Sequence, residues 1–313
     1  IRWQTVGEKS GPQLPFDDRI YTIGFEAFLD NRNLEDAWQV ERAAWTKRLA
    51  HPVIDIPEKK LIDVMKSNVG FIMINRDGPW FKPGPRNYNH AWMRDGVLTG
   101  LAVMRNGDTA MVRRFIEAFA DHIRPDGWVP WMILENGQPV TFNPDPNNGE
   151  GHEYDSQGQF PFIVRNYLEY SGDEEFARAM YPKVMAALHF ADMLCNRRMT
   201  DIYRDDPSKN IYFGILPHSN SHEGYYPARH SYWDSFWLLR GIKDATVMAE
   251  RFGYVEDATW LRHFENTYRE RLYASILAVV EGSQLEAIPG CAELADFDPT
   301  STAIAIMVAD ERE

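Results

Sequence analysis

Cysteine, long apolar runs and clustered basic residues are all scarce in this sequence, and each scarcity removes a class of protein. Only two of the 313 residues are cysteine, Cys195 and Cys291, with no CxxC pair and no zinc spacing. Neither a disulfide framework nor a thiolate metal site is expected from them. Cys195 falls on an apolar helical stripe and reads as a small buried hydrophobe. No apolar stretch reaches the roughly 18 residues of a membrane span. The first residue is Ile, with no signal-peptide pattern behind it, so the start reads as internal or processed. The net charge is −13, and Lys and Arg form no run, which argues against nucleic acid and anionic membranes as partners.

Metal-ligand patterns are thin as well. His218, His222 and His230 share one loop, but they lack the i, i+4 helical spacing and the cysteine partner of a zinc site, so hydrogen bonding is the reading. Residues 145–149 lack the alternating ligands and terminal Glu of an EF-hand and read as a solvated turn. The Arg197-Arg198 pair reads as a helix C-terminus favoured by the dipole. No metal and no cofactor is expected.

Aromatic side chains are abundant: 13% of residues, with ten Trp, several of them in Gly/Pro-rich stretches where a core aromatic is out of place. Neutral ligands suit an acidic chain with such a surface, and sugars are one such class. At 44% hydrophobic and 25% charged, the chain has the composition of a globular protein large enough for one big core or two domains.

The apolar spacing predicts a mostly helical protein. An alternating stretch at residues 20–28 suits a strand. Apolar residues then recur at three and four across 34–49 and 57–74, and further helices are predicted near 90–105, 108–123, 159–171, 174–199, 231–252, 255–281 and 299–310. Connections after 105, 171 and 252 are tight, with Gly107, Gly172 and Gly253 placed to end one helix before the next begins. Those across 124–158, 200–230 and 282–298 are long, and structureless loops beyond about 12 to 15 residues are usually functional. Short and long connections alternate, so the long ones collect on one face, as in a ring of helical hairpins. Rim positions recur at intervals of 63, 79 and 64 residues (Trp92 to Asp155, Asp155 to Asp234, Asp234 to Asp298), consistent with one hairpin per repeat.

Three rim segments then carry a resemblance. Tyr88-Asn-His-Ala-Trp-Met-Arg-Asp-Gly96 resembles the aromatic-x-Trp-x-Arg-Asp-Gly motif of the six-hairpin glycosidase superfamily, which includes glucoamylases, trehalases and processing α-glucosidases. Glu153-Tyr-Asp-Ser-Gln-Gly158 is similar to its Leu-Asp-x-x-Gly segment, with Glu153 and Tyr154 in place of the usual Gln-Leu. Tyr232-Trp-Asp-Ser-Phe-Trp237 resembles its Trp-Asp or Trp-Glu proton-donor segment. The resemblance implies an all-α fold, an (α/α)6 toroid over residues 57–313 that stops after about eight of twelve helices. It also implies a linker helix within 34–56, the tail of a preceding β domain or linker over 1–33, and a catalytic base beyond residue 313. A periplasmic or secreted location is the expectation.

The implied activity is glycoside hydrolysis of an oligo- or polysaccharide, in the inverting manner typical of these enzymes. Such chemistry commonly needs one carboxylic acid of raised pKa and a second carboxylate. Asp234 is the first choice for the acid, because Trp233, Phe236 and Trp237 would desolvate it, and Glu223 is the runner-up. An Asp at a helix start also caps the helix, so that alternative stands for Asp234. Substrate binding is expected from Tyr88, Trp92, Arg94, Asp95, Glu153, Asp155, Gln157 and Trp233. Tyr88, Trp92 and Trp233 would be apolar walls against the sugar faces, and Arg94 and Asp95 would either fix a pyranose ring or form an internal salt bridge. Two rival readings are a polysaccharide lyase, which would need cations for a uronate and has Arg94 and Arg229 as candidates, and a non-catalytic sugar-binding fragment.

Overall fold

A computed structural model describes residues 34–50, 52–140, 151–222 and 224–311. The expected strand over 20–28, the turn at 145–149 and Glu223 lie outside the described residues. The described residues are mainly helical: α1 (Leu34–Arg48), α2 (Lys59–Ile74), α3 (Met93–Arg105), α4 (Thr109–Ala120), α5 (Ser156–Ser171), α6 (Glu174–Asn196), the short α7 (Asp201–Asp205), α8 (Tyr232–Phe252), α9 (Val255–Ser283) and α10 (Pro299–Met307). Two strands of two residues each, β1 (Ala91–Trp92) and β2 (Met132–Ile133), pair antiparallel, Ala91 opposite Ile133 and Trp92 opposite Met132.

Burial periodicity separates two kinds of helix. α4 buries Met111, Val112, Phe115, Ile116, Phe119 and Ala120, a single stripe at helical spacing with the other face in water. α5 and α8 differ, because every residue from Ser156 to Val164 and from Tyr232 to Leu239 is buried. A helix covered all round has neighbours on all sides, and α5 accordingly packs against α3, α4, α6 and α8, while α8 packs against α5, α6, α9 and α10. The arrangement is an inner row, α3, α5, α8 and α10, backed by α4, α6 and α9. This is the layered hairpin pattern of a toroid, and Cys195 is buried in the α6 stripe.

Two glycines set how closely the inner helices meet. A Cβ on Gly158 would lie 1.9 Å from the Trp237 carbonyl oxygen, and one on Gly241 would lie 2.6 Å from the Gly158 Cα. α5 and α8 therefore touch backbone to backbone, which only residues without a side chain permit. The tight connections follow from local chemistry. Gly172 and Gly253 end α5 and α8 in the left-handed conformation, φ 70° and 79°. The carboxylates of Asp108 and Asp173 accept from Met111 N–H and Phe176 N–H, capping α4 and α6.

The long connections gather over the N-terminal ends of the inner helices and are knitted together. β1 and β2 join the segment before α3 to the connection before α5, Ser219 bridges Arg229 within the connection before α8, and Ser231 bridges Cys291 to tie that connection to the one before α10. Asp298, the last rim position of the repeat, caps α10 by accepting from Thr300 N–H (2.8 Å) and Ser301 N–H (3.1 Å).

Candidate active site

The starts of α3, α5 and α8 bring their side chains into one hydrogen-bonded cluster whose hub is Asp155. Its Oδ2 accepts from Arg94 (3.1 Å), Gln159 Nε2 (2.9 Å) and the Trp233 indole N–H (2.9 Å). One Arg94 nitrogen also donates to Glu153 Oε2 at 2.5 Å, and Arg94 Nε lies 3.9 Å from Asp95. Burial works against the Arg94 charge, but Asp155 and Glu153 outweigh it and hold the guanidinium above its ordinary pKa. The three segments read from the sequence as one rim thus meet at bond distance.

Asp234 lies beneath this cluster. Its Oδ2 accepts from Ser219 Oγ (2.5 Å) and Tyr154 N–H (3.3 Å), and its Oδ1 from Ser221 Oγ (3.0 Å). It is 1% exposed and does not cap α8, since Ser231 holds the cap position. Burial, with Asp155 next, pushes its carboxyl up to about 7 against the pull of those donors. The carboxylate thereby pins the 219–221 loop to the start of α5. Ser221 itself is held at φ 52°, an unfavourable left-handed conformation that persists where surrounding contacts enforce it.

The rim residues differ in what they can reach. Asp95 keeps 30% of its side chain exposed, Arg94 17% and Glu153 11%. Tyr88 is exposed and lies 6.1 Å from the half-buried Trp92 ring, with His90 5.6 Å away on that ring. Burial pushes Glu153 up to about 8, with Arg94 opposing, and burial also raises Asp95.

Several expectations from the sequence need correcting. Trp233 is no wall against a sugar: it is buried, bonds Asp155, and stacks on His222 at 4.0 Å and 25°. His222 Nε2 in turn lies 3.3 Å from Asp298 Oδ2, and burial lowers that imidazole to about 4, so it is neutral. Gln157 also turns inward. Its amide donates to the carbonyls of Gly127 (3.2 Å) and Ala187 (3.3 Å) and accepts from Val129 N–H (2.9 Å), which ties the loop at 127–129 to α5. Arg197 stands at the C-cap of α6, as read from the sequence, and the adjacent Arg198 turns inward. It is buried and donates to His230 Nε2 (3.2 Å) and reaches His218 Nδ1 (3.2 Å), while His230 Nδ1 pairs with Glu293 at 2.6 Å. The structure therefore leaves Tyr88 exposed, Trp92, Arg94 and Asp95 partly exposed and a small part of the Glu153 side chain accessible, with Asp155, Gln157, Trp233 and Asp234 buried behind them.

Neither a family model nor a curated protein sequence matches the chain. Solved structures do. A rhamnosidase from Klebsiella oxytoca with rhamnose bound matches over 84% of this chain with a TM-score of 0.53 at 17% identity. A protein described as a glycosidase matches over 73% of this chain and 59% of its own (TM-score 0.47, 14% identity). A GH63 mannosylglycerate hydrolase from Thermus thermophilus, in complex with glucose, matches over 68% and 64% (TM-score 0.43, 15% identity). The last two scores are too low to carry an argument. The first supports the fold, and with the inner and outer helix rows it identifies the architecture as that of an (α/α) toroid. This chain spans about half, 46%, of the rhamnosidase it resembles.

Proposed function

We propose that this rim binds a sugar and serves a glycoside hydrolase that acts on an oligo- or polysaccharide by inverting general acid and base catalysis. The observation that carries the reading is the charge imbalance at its centre. Glu153 and Asp155 share one guanidinium and Asp234 lies next to Asp155, all three out of bulk water, with Asp95 at the edge. Several like charges cannot all ionise in a low-dielectric site, so such a cluster keeps a proton at neutral pH. A departing glycosidic oxygen needs that proton.

On the open side, the Arg94 fork and the Asp95 carboxylate are suited to hold hydroxyl groups, since one donates and the other accepts. The net negative charge weighs against a uronate, and so against the lyase reading. Asp234, to which the sequence resemblance assigns the acid, sits under the 219–221 loop; Glu223, the runner-up, belongs to the same connection.

The test is hydrolysis of a panel of aryl and alkyl glycosides by the protein, with the anomer of the first product followed by proton NMR, alongside Asp234→Asn and Glu223→Gln. Cleavage with inversion is the expected result, and the two variants show whether either carboxyl contributes to it. Retention of configuration would overturn the inverting mechanism. A protein that neither binds nor cleaves any sugar of the panel would overturn the hydrolase reading.

A further inference from the structure

We infer that Glu153 is the member of the cluster that hands its proton to the departing glycosidic oxygen, through its free oxygen Oε1. The inference rests on the hydrolase reading and assigns the acid within it. Three features of the geometry separate Glu153 from its neighbours.

The first is access. Glu153 keeps 11% of its side chain exposed, whereas the Asp155 side chain keeps 1% and Asp234 as a residue 1%. A proton donor must reach within hydrogen-bond distance of the substrate oxygen, and the two aspartates lie behind the surface that a sugar would touch.

The second is the number of donors each carboxyl receives. Asp155 accepts three hydrogen bonds, from Arg94, Gln159 and Trp233. Asp234 accepts three, from Ser219, Ser221 and Tyr154. Glu153 accepts one, from Arg94 to Oε2, and among the described residues its Oε1 has no hydrogen-bond partner. Donors stabilise the ionised form, so the carboxyl with fewest donors carries the proton. The Arg94 contact fits a neutral acid as well as a carboxylate: Oε2 serves as the accepting carbonyl oxygen and Oε1 carries the hydrogen. Asp155, with three donors on Oδ2, is the other carboxyl in direct contact with Arg94. Burial pushing Glu153 up to about 8 agrees with this assignment.

The third is what remains after transfer. The bond between the anomeric carbon and the glycosidic oxygen breaks, its electron pair stays on that oxygen, and the Oε1 proton moves there. Glu153 is left as a carboxylate already in contact with Arg94, so the developing charge is met in place by a preformed guanidinium. Water adds its oxygen to the anomeric carbon, and its released proton passes to a second carboxylate acting as base. Asp95 is the other rim carboxyl, but with almost a third of its side chain exposed it is the more hydrated group and suits hydroxyl binding.

The test is Glu153→Gln, which keeps shape and the Arg94 contact but has no acid proton. Two readouts apply. The infrared band of a protonated carboxylic acid, followed at about pH 7.5 where Asp234 is largely ionised, should be mostly lost in Glu153→Gln. Turnover of alkyl glycosides should fall by roughly 10² to 10⁴, with far less loss on glycosyl fluorides, whose leaving group needs no proton. Survival of the band in Glu153→Gln, with its loss in Asp234→Asn, would overturn the assignment. So would unimpaired turnover of alkyl glycosides. Loss of the band in Glu153→Gln from a protein that binds sugars but cleaves none would instead sink the hydrolase reading, and the catalytic role with it, while leaving the proton on Glu153.

Discussion

A carboxyl that holds its proton more tightly when folded makes the fold less stable as the pH rises, and among the described residues Glu153 and Asp234 are pushed furthest that way. Glu153 ordinarily titrates near 4.5 and is pushed up to about 8, while Asp234 moves from 3.8 to about 7. Between about pH 6.5 and 8 both groups are ionised in the unfolded chain, so unfolding releases a proton and stability falls with rising pH. Each pH unit is worth about 1.4 kcal/mol per retained proton. Glu153 alone then accounts for a loss of about 2 kcal/mol across that window, and Asp234 adds to it in the lower half. His222, neutral when folded down to about pH 4, and His230 and His122, also lowered by burial, work the other way, mainly below the ordinary histidine value of 6.5 and only weakly above it. Asp244, pushed up to about 6, loses most of its proton below the window. Urea unfolding followed by tryptophan fluorescence at several pH values measures the slope. Wild type should lose stability across the window, and Glu153→Gln should lose about 2 kcal/mol less. A slope unchanged in Glu153→Gln, or stability rising with pH in the wild type, would refute the proton count at the centre of the site.

Gly158→Ala should be severely destabilising, by more than about 4 kcal/mol, because its Cβ would meet the Trp237 carbonyl at 1.9 Å; Gly282→Ala, with open space around it, should be neutral or slightly stabilising, and thermal unfolding of the pair checks both. Ser219→Ala removes the 2.5 Å donor to Asp234 and should cost about 1 to 3 kcal/mol. A double-mutant cycle with Asp234→Asn should show coupling between the two, and strict additivity would mean that the bond contributes nothing.

The helices are legible in the sequence because their signals are local. Stripes at helical spacing, Gly172 and Gly253 at helix ends, and Asp108 and Asp173 at helix starts act within a few residues, and each prediction near them holds to within a turn or so. The convergence of 92–95, 153–155 and 233–234 is legible from the alternation of short and long connections. Side-chain direction is not. Every residue in the first two turns of α8 is buried, so no polar face marks which side meets a ligand, and an indole that bonds Asp155 looks in sequence like a sugar wall. Gln157 at the start of α5 misleads for the same reason. β1 and β2, two residues each, are too short for an alternating pattern. Ser219 and Ser221 reach Asp234 across 15 and 13 residues, a pairing with no local signature. The hint is two serines flanking Asn220 in a long connection rich in histidine.

The fold and the retained proton have one cause. Asp155 stands at the start of α5 and Asp234 in the first turn of α8, and the backbone contact at Gly158 and Gly241 fixes how far apart those starts can be. Helix N-termini favour negative charge, which eases the placement of a carboxylate at each. The close crossing nevertheless forces two such charges, with Glu153 between them and the opening, into a space served by one guanidinium. Loosening the crossing would let each carboxyl ionise separately. A tight, glycine-mediated crossing raises the cost of full ionisation until one proton stays, and the donor count places that proton on Glu153, the most accessible of these three carboxyls. In this chain the packing of two inner helices sets the acidity of the rim above them.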